Sequence, residues 1–256
     1  MNALLEQALQ HAQVWRGDQL ARSEQPGLAT GFAALDAVLP ALGWSVGSLT
    51  EVLCANQGIG ELSLLAPSIA ALTQRNEGVV LINPPYWVYA PAWAQCGINL
   101  AHCLVVRPDT ANDVMWVAEQ SLRSGACGLV LVWPEHPRYR PDHRALRRLQ
   151  TAADTGATAC IVFRGMAALK DASPAPLRLT LQAHQSQLSV HIVKRRGPPL
   201  DAPILLNVRP SYWEPRQTKG EDKSLTVSPR HLSTVNPQTA SLSSAPSLSC
   251  LRHISQ

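Results

Sequence analysis

The sequence predicts an α/β protein built on a mostly parallel central sheet with helices on its faces. Short apolar runs alternate with amphipathic helical runs, and the apolar runs are continuous instead of alternating with polar residues. Such runs are typical of strands that are buried on both faces of a parallel sheet. The last three strand-like runs follow one another without long helices between them, which predicts an antiparallel extension at one edge of the sheet.

The chain divides into three predicted regions. Residues 1–27 contain an N-terminal amphipathic helix, NALLEQALQHAQVW at 2–15, and a polar connector. Residues 28–213 form the predicted α/β core, for which the 46% hydrophobic composition of the chain supplies enough apolar material. Residues 214–256 are rich in Ser, Thr and Pro with few large apolar residues, which predicts a disordered tail.

The elements of the core are predicted in the following order. A short helix lies in TGFAALDAVL, with Thr30 as its expected N-cap. The strands are LTEVLC, GVVLIN, HCLVV, GLVLVW and TACIVF, followed by LRLTLQ, LSVHIVK and PILLNV. Helical runs at 60–75, 111–124 and 142–154 lie between the earlier strands.

Two sets of side chains are predicted to be buried. Tryptophans that lie in helical patterns are expected in the core, and these are Trp87, Trp93 and Trp116. The six cysteines are scattered and form no CxxC pair, so they predict reduced, mostly buried thiols and no zinc or redox site. They are Cys54, Cys96, Cys103, Cys127, Cys160 and Cys250.

Composition excludes few classes of function. A net charge of +4 and a pI of about 8.8 permit nucleic acid or an acidic partner without demanding either. No apolar run approaches the roughly 18 residues that span a membrane, and the first residues lack the apolar segment of a signal peptide. We therefore expect a cytoplasmic protein with no membrane partner. Because the histidines are dispersed and no serine lies in a GxSxG motif, the sequence predicts no hydrolase site, metal site or cofactor.

Two segments resemble the RecA ATPase core. TGFAALDAVLPALGWSVGSLTEVLC is similar to the RecA segment that leads into its phosphate-binding loop, and RPDTANDVMWVAEQSLRSGACGLVLVW is similar to the stretch that leads into its Walker B strand. The resemblance covers about residues 28–208 and implies a RecA-like fold. The matching positions are Thr30, Gly31, Leu35, Asp36, Gly43, Gly47 and Glu51, then Pro108, Asp109, Thr110, Arg123, Ser124, Gly125 and Ala126.

The segment VLCANQGIGELSLL lies where a phosphate-binding loop is expected but lacks its key residues. A working loop, GxxxxGK[ST], uses backbone N–H groups and a lysine to hold phosphate and a hydroxyl to hold magnesium. With Gly60 as the second glycine, Ala55 replaces the first, Glu61 the lysine and Leu62 the hydroxyl. The favoured interpretation is a vestigial loop in which Gly58 and Gly60 only turn the chain from strand to helix. The alternatives are nucleotide binding without catalysis and a true ATPase.

Other parts of the RecA machinery are also altered. The resemblance places Trp133 at the Walker B acid and Pro85 near the catalytic glutamate of RecA. In place of the two DNA-binding loops of RecA stand the short segments PEHPRYRPDH and GMAALKDASPAP. We therefore predict that the chain is not an enzyme and does not perform strand exchange.

Three groups of residues are candidates for contacts with a partner or with DNA. On a helix that starts near 141, three arginines share a face, which could follow phosphates, meet an acidic protein or simply face water. A second group resembles the basic hairpin that RecA presents to its neighbour, and the alternative is a plain surface turn. A third lies in VWRG of the N-terminal helix, where it could also pack on the core. The candidates are Arg138, Arg140, Arg144, Arg147 and Arg148, then Lys194, Arg195 and Arg196, and last Trp15 and Arg16.

The combination of these features resembles the ImuA family of bacterial mutagenesis proteins. The stretches TGFAALDAVLP and QGIGELSLL are typical of that family. The resemblance implies an accessory subunit of SOS-induced translesion synthesis whose partners are the polymerase-like protein ImuB and an error-prone replicative-type DNA polymerase. Docking at a RecA filament or at single-stranded DNA is a further expectation, and self-association stays open. The alternatives are a SulA-like inhibitor of cell division that binds FtsZ, and an atypical RecA-type ATPase.

Overall fold

The computed structural model describes residues 26–135 and 139–209. Within those ranges the strands are β1 (Leu49–Cys54), β2 (Gly78–Ile82), β3 (Cys103–Val106), β4 (Cys127–Val132), β5 (Ala159–Gly165), β6 (Leu177–His184), β7 (Gln187–Lys194) and β8 (Ile204–Leu206). The α-helices are α1 (Ala33–Asp36), α2 (Glu61–Gln74), α3 (Ala90–Gln95), α4 (Ala111–Arg123) and α5 (His143–Gly156), with short 3-10 helices at Leu100–His102 and Met166–Lys170. No helix in these ranges is long and apolar enough to cross a membrane.

All eight strands form one sheet in the order β3-β2-β4-β5-β1-β6-β7-β8. The pairs from β3 to β6 are parallel, whereas β7 and β8 are antiparallel to their neighbours. The predicted fold class, a mostly parallel sheet with an antiparallel edge, is therefore confirmed. The extension is shorter than predicted, because β6 pairs in parallel with β1. Since β1 lies between β5 and β6 in the sheet, the chain must cross β1 through Met166–Lys170 before β6 begins.

The continuous apolar strands are explained by helices on both faces of the sheet. In β4, Leu129 and Leu131 pack in the same core cluster as α2, while Val130 and Val132 pack in the cluster that contains α4 and α5. Successive side chains of a strand point to opposite faces, so a strand covered on both sides needs apolar residues at every position. This is the pattern from which the sequence predicted a parallel sheet.

The chain before β1 is anchored to α2. The indole N–H of Trp44 donates to the hydroxyl of Ser68 at 3.1 Å, and that hydroxyl donates to the carbonyl of Ala29 at 2.7 Å. Gly31 has a φ of +85°, and a Cβ at this residue would lie 2.4 Å from Cβ of Pro67. Glycine at position 31 is therefore required twice, by its backbone conformation and by the ring beside it.

The predicted N-cap of α1 is wrong. The helix begins two residues later than expected, with Phe32 at its N-cap position and no side chain capping it. Thr30 lies before the helix, where its hydroxyl accepts a hydrogen bond from the N–H of Phe32 at 3.1 Å and its own N–H donates to the carboxylate of Asp36 at 3.0 Å. Thr30 and Asp36 thus close a turn around the start of the helix, a role that the sequence pattern did not distinguish from capping.

Two of the three tryptophans that were predicted to be buried are exposed. Trp93 is buried as expected, but the prediction is wrong for Trp87 and Trp116, which are 81% and 62% exposed. Trp87 lies in the loop before α3, and the guanidinium of Arg107 stacks on its ring at 4.2 Å. Trp116 lies on the outer face of α4, because Met115 and Ala118 occupy the buried face.

The cysteines of the described residues are free thiols, and three of them are buried. Burial, with a smaller effect from the Glu61 charge, raises the pKa of the Cys54 thiol to about 12. Burial also raises the pKa of Cys160, which is fully enclosed. Because the thiolate is the reactive form, both thiols are poor nucleophiles in the folded protein.

We expect a thiol reagent at about pH 8 to leave Cys54 and Cys160 unmodified in the native protein and to modify both after unfolding. Mass spectrometry of the labelled peptides measures this directly. The partly exposed Cys103 provides an internal comparison. Labelling of Cys54 in the native state would show that the end of β1 opens to solvent.

Candidate functional site

The loop between β1 and α2 is the segment that the sequence identifies as a vestigial phosphate-binding loop. Gly58 has a φ of +76° and Gly60 a φ of +110°, so both glycines adopt the left-handed region that the strand-to-helix turn requires. Gly60 is the N-cap of α2, a helix of 14 residues, and it carries no side-chain cap. The backbone N–H groups of this turn therefore need an acceptor.

The carboxylate of Glu61 is that acceptor. The N–H of Gly58 donates to Oε1 at 2.9 Å, and the N–H of Gly60 donates to Oε2 at 3.1 Å. Glu61 is only 6% exposed and is the first residue of α2, where the helix dipole favours a negative charge. The sequence places Glu61 where a working loop has its lysine. The structure adds that the carboxylate itself binds the N–H groups that a phosphate would otherwise use.

A cleft of about 350 Å³ lies at the carboxyl ends of β1, β2, β4 and β5. This is the position at which open parallel sheets bind their ligands. The residues that matter for its chemistry are Glu61, Asn83, Arg107, Trp133, Glu135 and Arg164. Of the residues that the sequence singled out, the cleft is lined by Ala55, Glu61, Pro85 and Trp133, whereas Gly58, Gly60 and Leu62 of the vestigial loop are not part of its lining.

Trp133 gives the cleft an aromatic floor. Its ring stacks on Phe163 with a centroid distance of 4.5 Å and an angle of 8° between the ring planes. The amide of Asn83 donates to the carbonyl of Trp133 at 2.9 Å and fixes the end of β4. An indole has no oxygen for a metal ion, so the residue at the Walker B position contributes apolar surface to the cleft.

Glu135, two residues after Trp133, was missed by sequence reasoning. Its Oε2 accepts the N–H of Gly165 at 2.9 Å, and its Oε1 lies 3.6 Å from Nε of Arg164. Neither Oε1 of Glu135 nor Nε of Arg164 forms a hydrogen bond with any of the residues that the structure describes. The signal was a lone acid three residues after the end of an apolar strand, which is where cleft residues of parallel sheets lie.

A buried network of charges supports this end of the sheet. Glu51 on β1 is fully buried, and its two oxygens accept hydrogen bonds from Nη1 of Arg164 on β5 and from Nε of Arg178 on β6, both at 2.7 Å. Arg164 also donates to Asp171 at 2.8 Å, and Arg178 donates to the carbonyl of Ala168 at 2.8 Å. The network joins three neighbouring strands beneath the cleft. Charged residues inside otherwise apolar strands were its signal in the sequence.

The arginines near 141 lie on the surface, away from the cleft lining. Asp142 caps α5 by accepting the N–H of Ala145 at 2.7 Å. Arg144, Arg147 and Arg148 are exposed on the outer face of that helix, as the spacing predicted. Nε of Arg148 lies 3.6 Å from Glu119 of α4. Arg140 is exposed and lies 3.8 Å from Asp171, whereas Arg138 is outside the described residues.

The second candidate group is partly engaged within the protein. Nη1 of Arg195 donates to the carbonyl of Val38 at 2.7 Å, and its Nε donates to the carbonyl of Pro198 at 2.9 Å. Lys194 donates to the carbonyl of Ser173 at 3.0 Å, and burial, then the Arg178 charge, lower the pKa of its ammonium. Arg196 is exposed. The third group, Trp15 and Arg16, lies outside the described residues, and so does the predicted N-terminal helix. Contact roles for all three groups stay predictions.

No metal site is found in residues 26–135 and 139–209. These ranges contain no group of three or more His, Cys, Asp or Glu side chains that could hold an ion. The acids beside the cleft are instead held by protein groups, Glu61 by backbone N–H and Glu135 by the N–H of Gly165.

Comparison with known proteins relates the chain to RecA at a distance. No family model matches. RecA of Symbiobacterium thermophilum is 30% identical over 117 residues, which are 45% of this chain and 33% of that protein. RecA of Herpetosiphon aurantiacus is 31% identical over 106 residues, which are 41% of this chain and 29% of that protein. RecA of Bacillus subtilis is 30% identical over 104 residues, which are 40% of this chain and 29% of that protein. The chain spans about a third of the length of these relatives. Together with the sheet topology, these matches show a RecA-like chain that is distantly similar to RecA over less than half of its length.

Proposed function

We propose that this RecA-like chain is a non-catalytic accessory protein of the ImuA type in SOS-induced translesion synthesis. Its role is to recruit ImuB and an error-prone DNA polymerase to damaged DNA, where a RecA filament or single-stranded DNA is a further docking partner. The observation that carries the proposal is the carboxylate of Glu61, which occupies the backbone N–H groups of the loop after β1. A core of RecA type without a free phosphate site favours binding over hydrolysis.

Electrostatics supports the absence of ATP hydrolysis. A phosphate that approached the loop would have to displace Glu61 and remain near its charge. Two like unit charges about 4 Å apart repel by about 1 kcal/mol in bulk water and by about 4 kcal/mol near a protein surface. The lysine that would attract phosphate and the hydroxyl that would hold magnesium are replaced by Glu61 and Leu62.

We expect the native chain to retain no radiolabelled ATP at millimolar MgATP, and the double variant Glu61→Lys, Leu62→Thr to retain it measurably. The substitutions release the loop N–H groups and restore the lysine and the hydroxyl. Glu77→Lys is the matched control, because it makes the same charge change at an exposed residue. If the native chain retained and hydrolysed ATP, the atypical ATPase would replace this proposal.

The role in mutagenesis is tested by deleting the gene in its host and irradiating the cells with ultraviolet light. The proposal expects induced mutation frequency to fall while cell filamentation persists. Loss of filamentation with unchanged mutagenesis would assign the chain to the SulA-like inhibitors of division. A copy of the gene that carries Glu61→Gln can then be returned to the deletion strain. If the chain is a non-catalytic accessory protein, this variant should still restore mutagenesis.

A further inference from the structure

Helices α4 and α5 lie side by side on one face of the sheet and share an outer surface. Leu122 of α4 and Leu146 of α5 belong to one core cluster, which fixes the two helices against each other. Both helices connect parallel strands on the same face, so they run in the same direction. We call their exposed residues Trp116, Arg123, Arg144, Arg147 and Arg148, together with Glu119, the α4–α5 surface.

Trp116 is the apolar element of this surface. It is 62% exposed, although tryptophan is among the residues with most to gain from burial. It lies one turn before Glu119 on α4, and Arg144 lies one turn before Arg148 on α5. Since Glu119 and Arg148 are 3.6 Å apart and the helices run in the same direction, Trp116 and Arg144 lie at the same level of the pair.

Two arginines supply the uncompensated charge. Glu119 is engaged by Arg123 at 2.8 Å and by Arg148 at 3.6 Å. The guanidinium groups of Arg144 and Arg147 have no hydrogen bond or ion pair with any residue in the described ranges. The α4–α5 surface therefore presents one large apolar side chain and two localised positive charges.

We infer that the α4–α5 surface docks a short acidic segment of a protein partner, with an apolar side chain against Trp116 and one or two carboxylates at Arg144 and Arg147. Tryptophan and arginine are the residues that most often dominate binding energy at protein interfaces. A nucleic acid fits less well, because Asp113, Glu119 and Asp154 are carboxylates on the same two helices and would repel a continuous phosphate chain. Two isolated positive charges match a few carboxylates better than a polyanion.

The inference rests on the proposed function, since a recruiting protein needs such a surface, but it is tested separately. The full chain is used to select binders from a library of short random peptides, and the double variant Arg144→Glu, Arg147→Glu is used in parallel. The expected peptides combine acidic residues with one large apolar residue. Their binding by fluorescence polarisation should weaken about tenfold or more with Trp116→Ala and with the double variant. Higher salt should reduce the effect of the double variant and not that of Trp116→Ala.

The control is the double variant Arg75→Glu, Lys170→Glu, which makes the same change in charge at exposed residues elsewhere. It should bind the selected peptides like the native chain, and thermal melts should show that all variants are folded. Selection of no peptide, or of peptides that bind equally well to the Arg144, Arg147 variant, would overturn the inference. Oligothymidine binding that depends on Arg144 and Arg147 but not on Trp116 would assign the surface to nucleic acid. None of these outcomes affects the ATP or gene-deletion experiments, so failure here is distinguishable from failure of the proposed function.

Discussion

Replacing Glu51 by Gln is expected to destabilise the folded chain by about 3–5 kcal/mol. The carboxylate lies between two buried guanidinium groups and accepts a hydrogen bond of 2.7 Å from each. A neutral amide leaves the charges of Arg164 and Arg178 without their shared counterion, and its NH₂ group has to face one of the two donors. Because Arg164 and Arg178 are only 3% and 6% exposed, water can replace little of what the carboxylate provides. Urea unfolding followed by circular dichroism measures the loss.

The matched control is Glu77→Gln, the same substitution in an exposed pair with Arg75. It should change the free energy of unfolding by less than about 1 kcal/mol, because surface ion pairs contribute little. A triple replacement of Glu51, Arg164 and Arg178 by apolar residues should recover part of the stability that Glu51→Gln loses, since no fully buried charge is then left unpaired. The carboxylate of Asp171, which loses Arg164, is 43% exposed and can be hydrated. If Glu51→Gln were as mild as Glu77→Gln, the three charges would not be buried as described.

Replacing Gly31 by Ala is expected to cost about 2–5 kcal/mol of the free energy of unfolding, the sum of a backbone term and a packing term. The backbone term arises from a φ of +85°, which residues with a Cβ rarely adopt. The packing term arises because the new Cβ would lie 2.4 Å from Cβ of Pro67 and 2.9 Å from its Cγ. A proline ring in the middle of α2 has no rotamer that moves it away, so the backbone itself has to shift.

Gly97→Ala separates the two terms. Gly97 has a similar φ of +80°, but an added Cβ would meet nothing within 4 Å. It should therefore lose only about 1 kcal/mol from the backbone term. The difference in the free energy of unfolding between the two variants gives the contribution of the contact between the chain before β1 and α2. If both variants lost the same free energy of unfolding, the contact between Gly31 and Pro67 would be less tightly packed than described.

The sequence predicted the sheet better than it predicted the surface. Continuous apolar runs such as GLVLVW predict strands that are buried on both faces, and β4 matches that run to within one residue at each end. The run LTEVLC also begins and ends at the predicted residues, although it contains Glu51. The prediction that Trp87 and Trp116 are buried was wrong, because a helical pattern identifies a buried face only when most residues on that face are apolar. On α4 the outer face is polar apart from Trp116, and Trp87 lies outside any helix.

The sequence predicted which residues form the loop of the candidate site, but it did not predict the contacts of their side chains. Local spacing was enough to place Glu61 at the lysine position, and the positive φ of both loop glycines followed from the turn. That Glu61 folds back onto the loop depends on the side-chain torsions, on which spacing carries no information. The Glu51 network was less accessible still, because its members lie 113 and 127 residues apart along the chain. Only the strand order brings them together.

The internal carboxylate at the loop after β1 has a consequence for regulation. A ligand that is covalently part of the chain is present at a local concentration that does not change with cellular conditions. In a nucleotide-dependent relative, loop geometry would follow the ratio of bound to free nucleotide and thereby the metabolic state of the cell. Here the loop and the cleft beside it are expected to keep one conformation regardless of the nucleotide pool. We therefore expect the shape of this loop to be the same at low and high concentrations of ATP.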